Sequence, residues 1–268
     1  MPFTNVPSLD DYLAARQASD APETSPYAAL RADPARPEGR NRPQGGGGFF
    51  ARLPRAPKFV VGLDLGQAND HTAMCAVEML KPDSQVESGG QKLSGALAPS
   101  GQGHSRYRVP LLTRAPLGTP YPTIVRRVAE IVTAPPLAGA CHLVVDATGV
   151  GRPVLDMMWS GPLRPIPITI TGGDRVHGVG SMWRVPKRDL VAALQLAFQA
   201  GRIEIAAGAD DAQSLATELA DFRVRISASG SDSYGAWGSR THDDLVLALA
   251  LAIWWAERLL ARERTRNL

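Results

Sequence analysis

With 268 residues, 44% of them hydrophobic, the chain can bury a full core, and its length suits one large domain plus a tail. A formal charge of +3 permits a polyanionic partner without requiring one. The only two cysteines, Cys75 and Cys141, each sit in an apolar run, which argues against a disulfide framework or a cysteine-ligated zinc site and suits a reducing cytoplasm. The start, Met1 to Gln17, lacks the basic residues and apolar stretch of a signal peptide. The longest uncharged apolar segment, Leu245 to Ala256, falls short of the ~18 residues that span a bilayer, so a soluble protein with no membrane partner is expected.

Residues 1–56 are rich in Pro, Gly, Ala and Arg and have no sustained apolar period, which predicts a disordered or extended tail. Its second half carries Arg31, Arg36, Arg40, Arg42, Arg52 and Arg55 against Asp33 and Glu38. It is either a solvated arm or a contact for a phosphate backbone. Residues 57–268 form the folded domain.

Within that domain, Phe59 to Leu65 and Thr72 to Met79 read as a hairpin with its turn at Gln67 to Asp70. A Gly, Ser and Gln-rich loop over 83–104 precedes a third strand, Tyr107 to Leu112. Pro122 to Val132 has one apolar helical face. Leu143 to Val145 is a buried strand ending at Asp146, and a helix over Pro153 to Trp159 leads to a strand over Ile166 to Ile170. Three antiparallel strands followed by alternating helices and strands predict a mixed, partly parallel α/β sheet. Thr171 to Arg184 reads as a loop or hairpin, and Pro186 opens a helix closed by Gly201. Ile203 to Ile205 alternates like a strand, Asp211 to Leu219 is helical, and Phe222 to Ile226 alternates again. Thr241 to about Arg262 is a long final helix.

Three carboxylate positions carry the chemistry. Asp64 interrupts an apolar strand, where an ionised carboxylate needs partners or a cation. Asp146 ends a buried strand and runs into the turn Ala147 to Gly151, which lets a ligand approach the backbone. Asp243 and Asp244 stand in the first turn of the final helix. Each has a plainer reading: a strand-end acceptor for Asp64, an Asx turn for Asp146, and a capping box from Thr241 for Asp244. Together they suit Mg²⁺, a hard cation that takes oxygen ligands. Two such ions about 4 Å apart can activate a water for attack on phosphorus and stabilise the leaving 3′ oxygen.

The stretches Val61-Gly62-Leu63-Asp64-Leu65-Gly66, Val145 to Gly151 and Thr241-His242-Asp243-Asp244-Leu245-Val246 resemble, in this order, the three acidic motifs of the nuclease domain of the phage terminase large subunit. Pro116 to Pro122 and Val185 to Leu190 resemble supporting stretches of that family. The resemblance covers residues 58–258 and implies an RNase H-like fold. In it Asp64 on the first strand bridges two Mg²⁺ ions, for which Mn²⁺ can substitute. Asp146 and Asp244, with Asp243, complete the sites. His242 and Asp70 are secondary candidates. The implied activity is endonucleolytic cutting of viral DNA concatemers during genome packaging, in the cytoplasm of a bacterium or phage-infected host.

The chain departs from the family in one respect: it has no Gly-x-x-x-x-Gly-Lys-Ser/Thr phosphate loop, so it reads as a nuclease half without its ATPase motor, and no ATP hydrolysis is expected from it. Double-stranded DNA is the implied substrate, and a separate terminase ATPase, the small terminase subunit and the portal are the implied partners. A resolvase of Holliday junctions and a non-catalytic DNA-binding or assembly subunit are the alternatives. Sugar kinases and actin-like ATPases share the opening Asp-x-Gly turn, but no second phosphate loop accompanies it here. Removing residues 1–55 should leave cooperative thermal unfolding and metal-dependent cutting intact, since the tail offers no core element. A truncated chain that melts without cooperativity would put the domain boundary elsewhere.

Overall fold

The computed structural model describes residues 56–66, 70–80, 105–149, 151–206, 209–228 and 243–266. The expected tail up to residue 55, the loop expected over 83–104, Thr241 and His242 lie outside the described residues.

The opening hairpin consists of β1 (Phe59–Asp64) and β2 (Ala73–Leu80), antiparallel, with Asp64 opposite Ala73. β3 (Arg106–Arg114) pairs antiparallel with β2. Helix α1 (Tyr121–Val132) begins after Pro120, with a second proline at Pro122, and leads to β4 (Cys141–Asp146), which lies parallel to β1. Helix α2 (Gly151–Ser160) then precedes β5 (Pro165–Thr171), parallel to β4. The glycine-rich stretch forms the hairpin β6 (His177–Val179) and β7 (Met182–Pro186), and β7 runs parallel to β5. Helix α3 (Lys187–Gln199) starts directly on Pro186, and Gly201, at φ 62°, ends the turn that follows it. β8 (Ile203–Ile205) adds parallel to β3. Helices α4 (Ala212–Ala228) and α5 (Asp244–Arg266) close the chain.

The eight strands order as β6-β7-β5-β4-β1-β2-β3-β8. The inner five, with three antiparallel strands followed by two parallel ones, have the RNase H-like arrangement. One expectation fails: Phe222 to Ile226 is the second half of α4, not a strand. Its alternation is real, but Leu215, Leu219, Phe222 and Ile226 also recur at helical spacing, and no Gly or Pro stops a helix already propagating from Ala212.

The sheet separates two apolar layers. Phe59, Val61 and Leu63 of β1 and Leu143 and Val145 of β4 pack with Ile124 and Val128 of α1 and Val154 and Met158 of α2. Val60, Val144 and Val185 pack on the other side with α3 and α5. Side chains alternate faces along a strand, so Asp64, in phase with Val60, and Asp146, in phase with Val144, both lie on the α5 side. On β3 the phase changes. Tyr107 and Val109 face α5, and so do Leu112 and Arg114, because three residues of β3 span the interval that two residues of β2 cover between Ala76 and Glu78. This bulge turns Arg114 onto the face that carries the acids.

Helix α5 is the centre of the molecule. Every residue from Asp244 to Ala256 is buried, which explains an apolar run too short for a membrane: α5 packs on β1, β2 and β4 and against α3 and α4. Among the described residues no helix is long and apolar enough to cross a membrane. Further along α5, Trp255 Nε1 donates to His142 Nδ1 of β4 at 2.9 Å, and Trp183 packs edge-on against Trp254 and Trp255.

The closest approach is at Gly62, where a Cβ would overlap the Ala248 carbonyl and stand 3.2 Å from the Ala252 Cβ. Gly62→Ala must therefore push a buried helix off the sheet, a loss of roughly 1–3 kcal/mol or more in urea unfolding. Gly172→Ala, with open space around it, should stay within about 0.5 kcal/mol of the wild type. Equal stability of the two variants would show that α5 does not rest on β1 in this way.

Candidate active site at the carboxyl ends of the parallel strands

Asp64 is the last residue of β1 and Asp146 the last of β4, one step beyond the paired Leu63 and Val145. The two carboxyls therefore stand side by side on adjacent parallel strands, at the sheet end where open α/β proteins place their ligands. Lys187 follows the last residue of β7 and begins α3 at the same end. Helix α5 starts there too. The carbonyl of Asp243 accepts from Leu247 N at 2.8 Å, so Asp243 is the residue from which α5 departs.

These groups act on one another. The Asp64 carboxyl is raised well above the usual aspartate range, first by burial and then by the charges of Asp146, Asp243 and Asp244, with Lys187 pulling it back. Asp146 is raised by burial against the lowering effect of Thr148, whose backbone N and Oγ1 donate to its Oδ1 at 2.8 and 2.5 Å. Thr148 Oγ1 in turn accepts from Ile170 N at 2.8 Å, which ties the turn to β5. The plainer Asx-turn reading of Asp146 is thus present as well, and it fixes the carboxylate at the site instead of occupying it elsewhere. Asp243 is raised by burial and moderated by Lys187, whose Nζ donates to Asp243 Oδ2 at 3.3 Å. Burial lowers the Lys187 ammonium, while Asp243, Asp64 and Asp146 hold it up.

Asp244 behaves differently. It is 4% exposed, and both its oxygens lie on the Arg114 guanidinium, Nε to Oδ2 at 2.7 Å and Nη2 to Oδ1 at 3.0 Å. Arg114 also pairs with Glu218 of α4, and its backbone N donates to Asp211 Oδ2 at 2.9 Å. Of the adjacent acids, the one expected to contribute most is held by an arginine, and Asp243 is the one in contact with Lys187. Asp70 is exposed and is not among the main charges acting on Asp64, Asp146 or Asp243.

In the sequence, Lys187 and Thr148 fall within the motif stretches but carry no expected role, and Arg114 and Glu218 fall outside them. A signal existed for the lysine. A cation in the first turn of a helix opposes the helix dipole, so it asks for anions outside its own helix.

Among the described residues no three His, Cys, Asp or Glu side chains close around one point as a finished metal cage does. The donors still suit a hard divalent cation, being all oxygen and drawn from separate rigid elements. Among the described residues, Asp64, Asp146, Asp243, Asp244 and Glu218 are set against Lys187 and Arg114. Burial raises Asp64 first and the charges of Asp146, Asp243 and Asp244 raise it further, and that repulsion is what a dication would relieve. The thiols offer no competing chemistry, since burial pushes Cys75 to about 12 and Cys141 to about 11.

Because the folded values of Asp64, Asp146 and Asp243 lie above that of an unfolded aspartate, the folded chain binds more protons between the ordinary and the raised values. Their contribution to stability therefore falls as pH rises through that window and stays low above it. In metal-free buffer, Asp64→Asn should melt progressively higher than the wild type as pH rises above about 4. A difference independent of pH would mean that the acids do not repel one another.

No protein-family model and no curated protein matches the chain. Among solved structures it is similar to the large terminase nuclease of thermophilic phage G20c, with 18% identity, coverage of 72% of this chain and 80% of that one, and a TM-score of 0.43. A human cytomegalovirus terminase nuclease domain soaked in Mn gives 12%, 73% and 81%, and 0.41. The large terminase of another thermophilic bacteriophage gives 9% identity and a TM-score of 0.41, and the match covers 76% of this chain but 40% of that one. Two of these three structures are thus terminase nucleases, and the third is a large terminase of which the match covers less than half.

Proposed function

We propose that the chain is a Mg²⁺- or Mn²⁺-dependent endodeoxyribonuclease of terminase type, cutting double-stranded viral DNA concatemers during genome packaging. The observation that carries this reading is the meeting of Asp64, Asp146 and Asp243, from two strand ends and one helix start, with each carboxyl raised by burial and by its neighbours. Asp64, Asp146 and Asp243 would hold the metal, two ions in the full reading, while Asp244, expected from the sequence as a ligand too, has both oxygens gripped by Arg114. Such ions would supply an activated water and stabilise the leaving 3′ oxygen.

The chain's own residues prepare that chemistry. Asp64, on which the charges of Asp146, Asp243 and Asp244 all act, would be the shared ligand. Thr148 keeps Asp146 from rotating away. Lys187 lies 3.3 Å from Asp243 and balances part of the acidic charge in the free protein, and its ammonium is placed to meet a phosphate oxygen when DNA arrives. A terminase ATPase, the small terminase subunit and the portal would present the DNA.

Supercoiled plasmid should be nicked and linearised by the purified chain in Mg²⁺ or Mn²⁺ and left intact in chelator. Asp64→Asn and Asp146→Asn should each lower cleavage at least about 100-fold while the proteins stay folded, and Mn²⁺ should raise the Tm of the wild type more than that of Asp64→Asn. Full cleavage by both variants would remove the acids from the chemistry.

A further inference from the structure

The residue preceding a helix ordinarily turns its side chain back to accept a free N–H of the first turn, and aspartate is among the best residues for this. Asp243 is in that position, yet its carboxylate goes to Lys187 and to its own backbone N–H. One first-turn donor is satisfied from elsewhere: Val246 N donates to Glu218 Oε2 at 3.1 Å, 28 residues away on α4. Glu218 is 8% exposed and is held in place by Arg114, which also grips both oxygens of Asp244. Arg114 is itself aimed at this point by the bulge in β3 and fastened through its backbone to Asp211, the residue before α4.

We propose that Glu218 and Arg114 are positioning residues: Glu218 caps α5 in place of Asp243, so that the Asp243 carboxylate is free to join Asp64 and Asp146, while Arg114 commits Asp244 to anchoring the helix. This rests on the metal-dependent reading above and assigns different tasks to the two adjacent acids. Without Glu218 the Asp243 carboxylate has a nearer partner than the metal, the N–H of its own helix. Capping and ligation then compete for one side chain. An arginine suits the anchor better than a lysine, since its planar fork matches a carboxylate in two bonds.

The test uses the full chain with Mn²⁺ as the probe. Mn²⁺ binding by calorimetry and plasmid cleavage across a Mn²⁺ series are measured for the wild type, Glu218→Ala, Glu218→Gln, Arg114→Lys and Asp243→Asn. Glu218→Ala should weaken Mn²⁺ binding about tenfold or more and shift the cleavage curve to higher Mn²⁺ by the same factor. Glu218→Gln, which still accepts a hydrogen bond, should recover to within about threefold of the wild type. Arg114→Lys should lie between them, and Asp243→Asn should bind least. Amide hydrogen exchange at Val246 gives a readout without metal. Protection should persist in Glu218→Ala, because Asp243 turns back to cap, and should vanish in Glu218→Ala/Asp243→Ala.

Wild-type Mn²⁺ affinity in Glu218→Ala, or Gln as damaging as Ala, overturns the capping role. Loss of Val246 protection in Glu218→Ala alone overturns it too, by showing that Asp243 does not compete for the cap. If the wild type neither binds Mn²⁺ nor cuts, the nuclease reading fails. The exchange data then decide the capping exchange independently of it.

Discussion

The structure depends on one close approach, the seating of α5 against β1 at Gly62. Packed elements usually stand about 10 Å apart because side chains fill the space between them. Here Gly62 offers none, and Ala248 and Ala252 of α5 keep the approach short. Asp64 lies two residues along β1 from Gly62, and Asp243 lies little more than one helical turn before Ala248. A helix lifted off the strand by even a methyl group would carry its acidic start away from Asp64. Packing in the middle of the helix thus sets the geometry at its end.

That geometry is electrostatically costly by itself. Burial already disfavours the charged form of each carboxyl, and each neighbouring acid adds to the effect. The fold compensates with two cations placed differently. Lys187 stands among the outward-facing acids, where a flexible ammonium can be displaced. Arg114 stands behind them, in a bidentate grip that gives the helix start a fixed orientation. The one can yield its place to a ligand, and the other holds the scaffold.

Much of this was legible in the sequence. The sequence puts Asp146 at the end of a buried strand and the residues after Asp244 in a long final helix, whereas it puts Asp64 inside the strand that it in fact ends. A mixed sheet of three antiparallel strands and then parallel ones followed from the succession of hairpin, third strand, helix and strand, because parallel crossovers leave few topologies. What could not be read is what depends on phase and on distant pairing. Pro110 hints at an interruption in β3, since it cannot donate to the ladder, but it does not say that the phase will turn Arg114 inward. The exchange of capping duty between Asp243 and Glu218 is invisible because local sequence shows what a residue can bond to, never what a remote helix has already supplied. Phe222 to Ile226 failed for the related reason that five residues fit both periods.

The bulge also sets a rule for how this molecule can change in length. Asp64 stands opposite Ala73 and Ala73 opposite Arg114, so near the site the register runs straight across three strands. The extra residue lies farther along β3, between Arg108 and Leu111. Losing one residue there would give a regular ladder that still presents Arg114 to the acids. Losing one between the bulge and the strand end, at Leu112 or Thr113, would turn the arginine to the opposite face. Relatives of this chain can therefore shed a residue at the bulge and keep the cation behind the acids, while beyond it only paired changes preserve the face.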